Sequence, residues 1–193
     1  GRMSLNKMKI LAIETSCDDT GIALIEADKS GKINILANLV SSQIETHRPW
    51  GGVVPNLAKR EHQKSLPILW QQLKQNHIIK KRSQINNIID GIDLIAVTHG
   101  PGLAPCLWAG INFAQELAKK LNKPLVGINH LKGHIHSALL KPRISNFQFL
   151  ISKQNPNPKP YSLYPIHYPL LALIVSGGHT QLVFSKKLGH YKI

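Results

Sequence analysis

Lys9-Ile10-Leu11-Ala12-Ile13-Glu14-Thr15-Ser16-Cys17-Asp18-Asp19-Thr20-Gly21-Ile22-Ala23-Leu24-Ile25-Glu26 is the stretch from which the rest of the chain is read. Residues 9–14 form an apolar run of strand length, and residues 21–26 form a second. Between them, Thr15 to Thr20 are small, hydroxylated or acidic, types whose side chains bond nearby backbone groups and so favour a turn. The stretch predicts a buried β-hairpin with an acidic, hydroxyl-rich tip. After a turn around Asp28 to Gly31, a third strand from Ile33 to about Ser42 extends it into a three-stranded meander.

Beyond the meander the pattern takes on a helical period of about 3.6. Gly51-Gly52-Val53-Val54-Pro55 reads as a loop, and from Asn56 the positions Leu57, Glu61, Ser65, Leu66, Leu69 and Leu73 have helical spacing, with a kink expected at Pro67. A buried strand over 92–98, the tight loop His99-Gly100-Pro101-Gly102, a long helix over 103–121, a strand over 124–128 and a short helix over 131–140 follow. This alternation predicts an α/β fold, a mixed sheet flanked by helices. Residues 141–168 contain five prolines and no sustained periodicity, and read as a Pro-rich loop insertion. Order returns with strands over 170–175 and 180–184 around the turn Ser176-Gly177-Gly178-His179.

The 193 residues carry 24 Lys and Arg against 10 Asp and Glu, a net charge of +14 with histidine neutral. A hydrophobic content of 42% supplies a core and excludes a disordered polycation. The charge is uneven: every acidic residue lies at or before Glu116, so residues 117–193 hold 11 basic side chains and no acidic one. Two readings of that segment stand, a face for nucleic-acid phosphates and a compositional drift toward Lys, Asn and Ile. Two cysteines are too few for a disulfide framework, and runs such as 170–175 fall far short of the roughly 20 residues that span a bilayer. A soluble, cytoplasmic protein without a membrane span is expected. Met8 resembles a second start, so residues 1–7 read as a tag or N-terminal extension and residues 8–193 as the fold.

Four local patterns carry chemistry. In His130-Leu131-Lys132-Gly133-His134 two histidines four apart share one helix face, close enough to hold a single transition metal or simply to decorate the helix. A His-Glu-x-x-His peptidase needs a Glu base after its first ligand, and Leu131 stands there instead. Ser176-Gly177-Gly178-His179-Thr180 is either a plain hairpin turn or an anion-binding nest that lets backbone approach a ligand. The tip from Glu14 to Gly21 suits phosphate held through a cation, or is a turn capped by Asp and Ser. His99-Gly100-Pro101-Gly102-Leu103 leads into a helix whose first amides can meet an anion, or is a simple strand-to-helix connection.

Taken in order, Ile13-Glu14-Thr15-Ser16-Cys17-Asp18, Gly51-Gly52-Val53-Val54-Pro55, Gly100-Pro101-Gly102-Leu103, His130-Leu131-Lys132-Gly133-His134 and Val175-Ser176-Gly177-Gly178-His179-Thr180-Gln181 resemble the TsaD/Gcp family. These are the tRNA N6-adenosine threonylcarbamoyltransferases, formerly called O-sialoglycoprotein endopeptidases. The resemblance covers residue 8 to about residue 191 outside the insertion. It implies the N-terminal lobe of a two-lobed actin-like (ASKHA, ribonuclease H-like) protein, with the second lobe absent. It also implies transfer of a threonylcarbamoyl group from threonylcarbamoyl adenylate to the adenosine next to the anticodon. By the same resemblance His130 and His134 ligate one iron or zinc ion, Ile174, Val175, Ser176, Gly177 and Gly178 lie against substrate, and Asp18 and Asp19 form a catalytic acidic pair facing the phosphate site.

Implied partners are tRNA, a TsaB-like paralogue and a TsaE-like ATPase. Departures from the family pattern are Asp19 where Glu is usual, Asn56 where Val-Val-Pro is usually followed by Glu, and the length of 141–168. Relatives draw a third metal ligand, an Asp, from the second lobe, so these 193 residues alone are expected to be inactive. Two other function classes stand beside this one. A non-catalytic TsaB-like scaffold has no use for the paired histidines, and a metallopeptidase lacks its Glu.

Overall fold

A computed structural model describes residues 7–29, 32–80, 91–138, 140–142, 160–163, 167–175, 180–187 and 190–192. The expected meander is present: β1 (Met8–Glu14), β2 (Asp19–Ala27) and β3 (Lys32–Ser42) are antiparallel, with Ile13 opposite Ile22 and Ile22 opposite Leu39. After helix α1 (Ile44–His47) and a 3-10 turn over Arg48–Trp50, helix α2 (Pro55–Lys80) continues through Pro67 as one element. Then come β4 (Leu94–Gly100), α3 (Ala104–Leu121), β5 (Leu125–Asn129) and α4 (His130–Ala138). Helix α3 ends at Asn122, whose left-handed backbone (φ 51°) lets its N–H cap the last turn.

β1 pairs antiparallel with β2 on one side and parallel with β4 on the other, Ile10 opposite Leu94 through Ile13 opposite Val97. β5 continues in parallel, with Ala96 opposite Val126 and Thr98 opposite Ile128. The result is a mixed sheet running β5-β4-β1-β2-β3. Alternation along its strands sends Leu11, Ile13, Ile22, Leu24, Ile95 and Val97 to one face, where they are buried with Leu66, Leu69 and Leu73 of α2 and Ala114, Leu117 and Ala118 of α3. Burying each of the larger of these side chains contributes about 1.5–3 kcal/mol. On the opposite face the small side chains Ala12, Ala23 and Ala96 leave an open groove of about 230 Å³ that reaches Glu14 and Thr98.

The Pro-rich insertion departs from expectation at its two ends. β6 (Leu140–Pro142) and β7 (Pro160–Leu163) pair with each other, and β7 adds to the outer edge of β3, making seven strands. Strands this short carry no readable alternation. The free N–H and C=O groups along the β3 edge select them, and that edge exists only once the meander has folded. The insertion's residues 143–159 and 164–166 lie outside the described residues.

A second, antiparallel sheet holds β8 (Leu170–Val175), β9 (Thr180–Lys187) and β10 (His190–Lys192). β9 runs three residues beyond the expected strand, and β10 was not anticipated. Helix α4 lies against β8, and its Lys132 ammonium sits 5.2 Å from the centre of the Tyr191 ring on β10. One face of this sheet leaves Leu171, Leu173, Val175 and Leu182 exposed.

The hairpin tip is seated against the start of α3. The buried Thr15 hydroxyl donates to the Cys106 carbonyl (2.9 Å), and the Leu103 N–H donates to the Ser16 carbonyl (2.8 Å). This approach needs glycine: a Cβ on Gly102 would stand 2.6 Å from the Ser16 carbonyl oxygen, and one on Gly110 would run into the Thr15 side chain. We expect Gly110→Ala to destabilise the chain by about 1–3 kcal/mol in urea denaturation, through overpacking at Thr15. An unchanged midpoint would show that α3 does not clamp the tip.

Candidate functional site

β1, β4 and β5 are mutually parallel, so their carboxyl ends lie side by side and bring Glu14, Thr98 and Asn129 to one edge of the sheet, the usual place for ligands in such sheets. Asn129 Oδ1 accepts the Lys132 N–H (3.1 Å) and so caps α4 at its first turn. The cap makes His130 the first helical residue and places His134 one turn above it. Their Nε2 atoms are 2.9 Å apart, and the rings meet edge to face at 82°. The two histidines read from the sequence as co-facial are therefore brought together with converging nitrogens.

Paired imidazole nitrogens suit iron or zinc. Among the described residues no group of three or more His, Cys, Asp or Glu side chains converges as a metal-binding set. The residues present fit such an ion as two of its donors.

Glu14 stands directly behind His130, a placement that sequence reading did not assign. Its Oε2 accepts the Thr98 hydroxyl (2.5 Å) and lies 3.3 Å from His130 Nδ1, while its Oε1 accepts the Ser16 N–H (2.6 Å). The Ser16 hydroxyl also comes within 3.2 Å of His130 Nδ1. Burial pushes the Glu14 carboxyl up, but the bonds from His130, Ser16 and Thr98 outweigh it and hold the group down at about 2. His134 is held below the ordinary histidine value by lost hydration and by the neighbouring His130, against the pull of Glu14. Glu14 was hidden because it closes an apolar strand, and only the parallel pairing of β1 with β4 carries it to the helix of His130.

Asp18 and Asp19 sit at the tip of the hairpin, Asp18 half-buried with its carbonyl accepting the Gln43 N–H (3.0 Å), Asp19 exposed opposite Ser42. Behind the tip runs a buried polar chain. His62 Nε2 lies 3.0 Å from the Cys17 carbonyl, which only accepts, so Nε2 carries the proton and Nδ1 accepts the Thr20 hydroxyl (2.7 Å) and the Gln43 amide (3.3 Å). Gln43 Oε1 in turn accepts from His47 Nε2 (3.0 Å), whose Nδ1 takes the Val54 N–H (3.4 Å). Two motifs distant in sequence, the Gly51 to Val54 loop and the acidic tip, are thus wired together through fully buried His62. His62 was missed too. Its signal was that it occupies the buried stripe Ala58, Leu66, Leu69, Leu73 of α2, four residues from Ala58 and from Leu66.

Of the substrate residues expected from the resemblance, Ile174 is half-buried and Val175 is exposed, on alternate faces of β8. Ser176, Gly177 and Gly178 lie outside the described residues. Opposite Ile174, the buried Oε1 of Gln181 has no hydrogen-bond partner among the described residues.

Burial lowers the His62 pKa, against the Cys17 carbonyl and the Glu14, Asp18 and Asp19 carboxylates, which raise it. A group depressed in the folded state stabilises above its unfolded value and loses that contribution as pH falls through its folded value. The thermal midpoint should therefore drop below about pH 6.5. His62→Gln should flatten that part of the profile and cost about 1–3 kcal/mol at pH 8. An unaltered slope in the variant would exclude His62 as its origin.

The family model described as TsaD: tRNA N6-adenosine threonylcarbamoyltransferase matches residues 34–152. Relatives named tRNA N6-adenosine threonylcarbamoyltransferase include one from Thermosipho melanesiensis, 42% identical over 176 residues, which are 91% of this chain and 44% of the relative. Another, from Dictyoglomus turgidum, is 41% identical over 186 residues, 96% of this chain and 46% of the relative. The chain thus spans less than half the length of these curated relatives. Among solved structures, YeaZ from Pseudomonas aeruginosa is 21% identical with a TM-score of 0.43, over 68% of this chain and 48% of that one.

Proposed function

The chain belongs to the TsaD family, the tRNA N6-adenosine threonylcarbamoyltransferases, and from that premise we propose that its histidine pair forms part of a threonylcarbamoyl-transfer centre. In this reading the exocyclic amine of the adenosine next to the anticodon attacks the carbamoyl carbon of threonylcarbamoyl adenylate. The new C–N bond forms, the bond from that carbon to the phosphate oxygen breaks, the adenylate leaves with the electron pair, and the amine gives up a proton. An aromatic amine is a weak nucleophile, so placing the two reactants and polarising the carbonyl contribute more than a strong base does. The observation that carries the proposal is the 2.9 Å approach of His130 and His134 at the carboxyl edge of parallel strands.

An iron or zinc ion held there supplies Lewis-acid polarisation of the carbonyl when bound. His130 and His134 would hold it as two of its donors, and because two fall short of the usual three or four, a further ligand would be needed from outside the described residues. Asp18 and Asp19 at the hairpin tip, and the backbone of residues 174–178, are proposed to border the adenylate. Exposed Lys132, Lys186, Lys187 and Lys192, all in the acid-free segment, offer contacts for tRNA phosphates. A TsaB-like paralogue and a TsaE-like ATPase are the proposed protein partners, and the cytoplasm the proposed compartment. No helix among the described residues is long and apolar enough to cross a membrane.

Replacing His134 by Ala in a full-length protein containing this chain should abolish both bound metal and modified tRNA, and full activity without metal would sink the assignment. The product should also be sensitive to chelator, whereas chelator-sensitive peptide cleavage without any tRNA product would favour the metallopeptidase. The 193 residues by themselves should show no turnover. Measured transfer by this chain alone would overturn the expectation of a shared site.

A further inference from the structure

We propose that Glu14 is a positioning residue that decides which nitrogen of His130 carries its proton, and so aims the other nitrogen's lone pair at His134. The proposal rests on the metal-centre reading for its purpose, though its geometry stands independently of that reading.

It follows from counting donors and acceptors. Glu14 offers only acceptors, and two donors are already committed to it, the Thr98 hydroxyl to Oε2 and the Ser16 N–H to Oε1. A bare His130 Nδ1 lone pair 3.3 Å from Oε2 would set two acceptors against each other. A protonated Nδ1 instead donates to Oε2, with the Ser16 oxygen 3.2 Å away as a second acceptor. Neutral imidazole has one N–H, so Nε2 is then unprotonated and faces His134 Nε2 at 2.9 Å. In the metal-free chain His134 supplies the proton of that contact from its own Nε2. A carboxylate behind a ligating histidine is the usual way such a ring is oriented.

The competing arrangement is specific. Were Ser16 to donate to Nδ1, the His130 proton would move to Nε2 and block the site facing His134. Glu14 works against this because its charge favours a donor at Nδ1. Gln at the same position keeps the shape of Glu but can turn an N–H₂ donor toward Nδ1, which favours the blocking tautomer. Glu14→Gln therefore tests the electrostatics with little change in volume.

Long-range 1H–15N spectra of the metal-free chain near pH 8, where an unperturbed imidazole is neutral, should show His130 as the Nδ1–H tautomer and His134 as the Nε2–H tautomer. An Nε2–H signal at His130 in the unaltered chain overturns the proposal without recourse to any variant. In Glu14→Gln the His130 tautomer should reverse, and the zinc dissociation constant of a full-length protein containing this chain, measured with the metal alone, should rise about 10–100-fold. Unchanged tautomer and zinc affinity within about two-fold in that variant also overturn it. If a full-length protein containing this chain takes up no zinc yet the His130 tautomer reverses in Glu14→Gln, the metal reading fails and the positioning role stands.

Discussion

Everything at the candidate site depends on β1 having two unlike neighbours. Antiparallel pairing with β2 on one side makes a hairpin whose tip can be polar, and parallel pairing with β4 on the other aligns the carboxyl ends of β1, β4 and β5. Parallel strands need a long connection between them, and α2 and α3 supply it while burying the apolar face of the sheet. Hydrophobic burial on one face thus drives the arrangement that gathers Glu14, Thr98 and His130 at the sheet's edge. None of these residues is near another in sequence.

The polar groups at that edge are matched more closely than a loop tip requires. Glu14 has a donor for each oxygen, and the chain from Val54 through His47, Gln43 and His62 to the Cys17 carbonyl alternates donor and acceptor at each step. Inside a protein an unpaired polar atom costs about 1–3 kcal/mol, so a network satisfied at each of these steps specifies one geometry over its neighbours. The hairpin tip is held twice, from below by Thr15 and Ser16 against α3 and from the side by His62 of α2. That double anchoring makes the tip a defined surface.

Charge divides differently from structure. The acid-free segment after Glu116 includes part of α3, the strand and helix that present His130 and His134, and the whole of the second sheet. The carboxylate against His130 comes instead from β1, over a hundred positions earlier. The Glu14 carboxylate thus reaches His130 from outside the acid-free segment that supplies both histidines.

The sequence by itself determined the meander, the alternation of strands and helices, the seat of the histidine pair on one helix face and the family. Local patterns suffice for these: two apolar runs of strand length around a polar turn in residues 9–26, period 3.6 in residues 57–73, and a four-residue histidine spacing. Tertiary structure alone decided what stands beside what. Glu14 looked like the last residue of a strand, His62 like one more polar residue in a helix, and the ends of the insertion like loop. Each acquires its role from a partner 45 to 130 positions away: His62 from the Cys17 carbonyl, Glu14 from His130, and β7 from the edge of β3. Sequence patterns record which side chains share a face, whereas hydrogen bonds between distant elements depend on strand order and register, and those are settled only when the apolar faces pack.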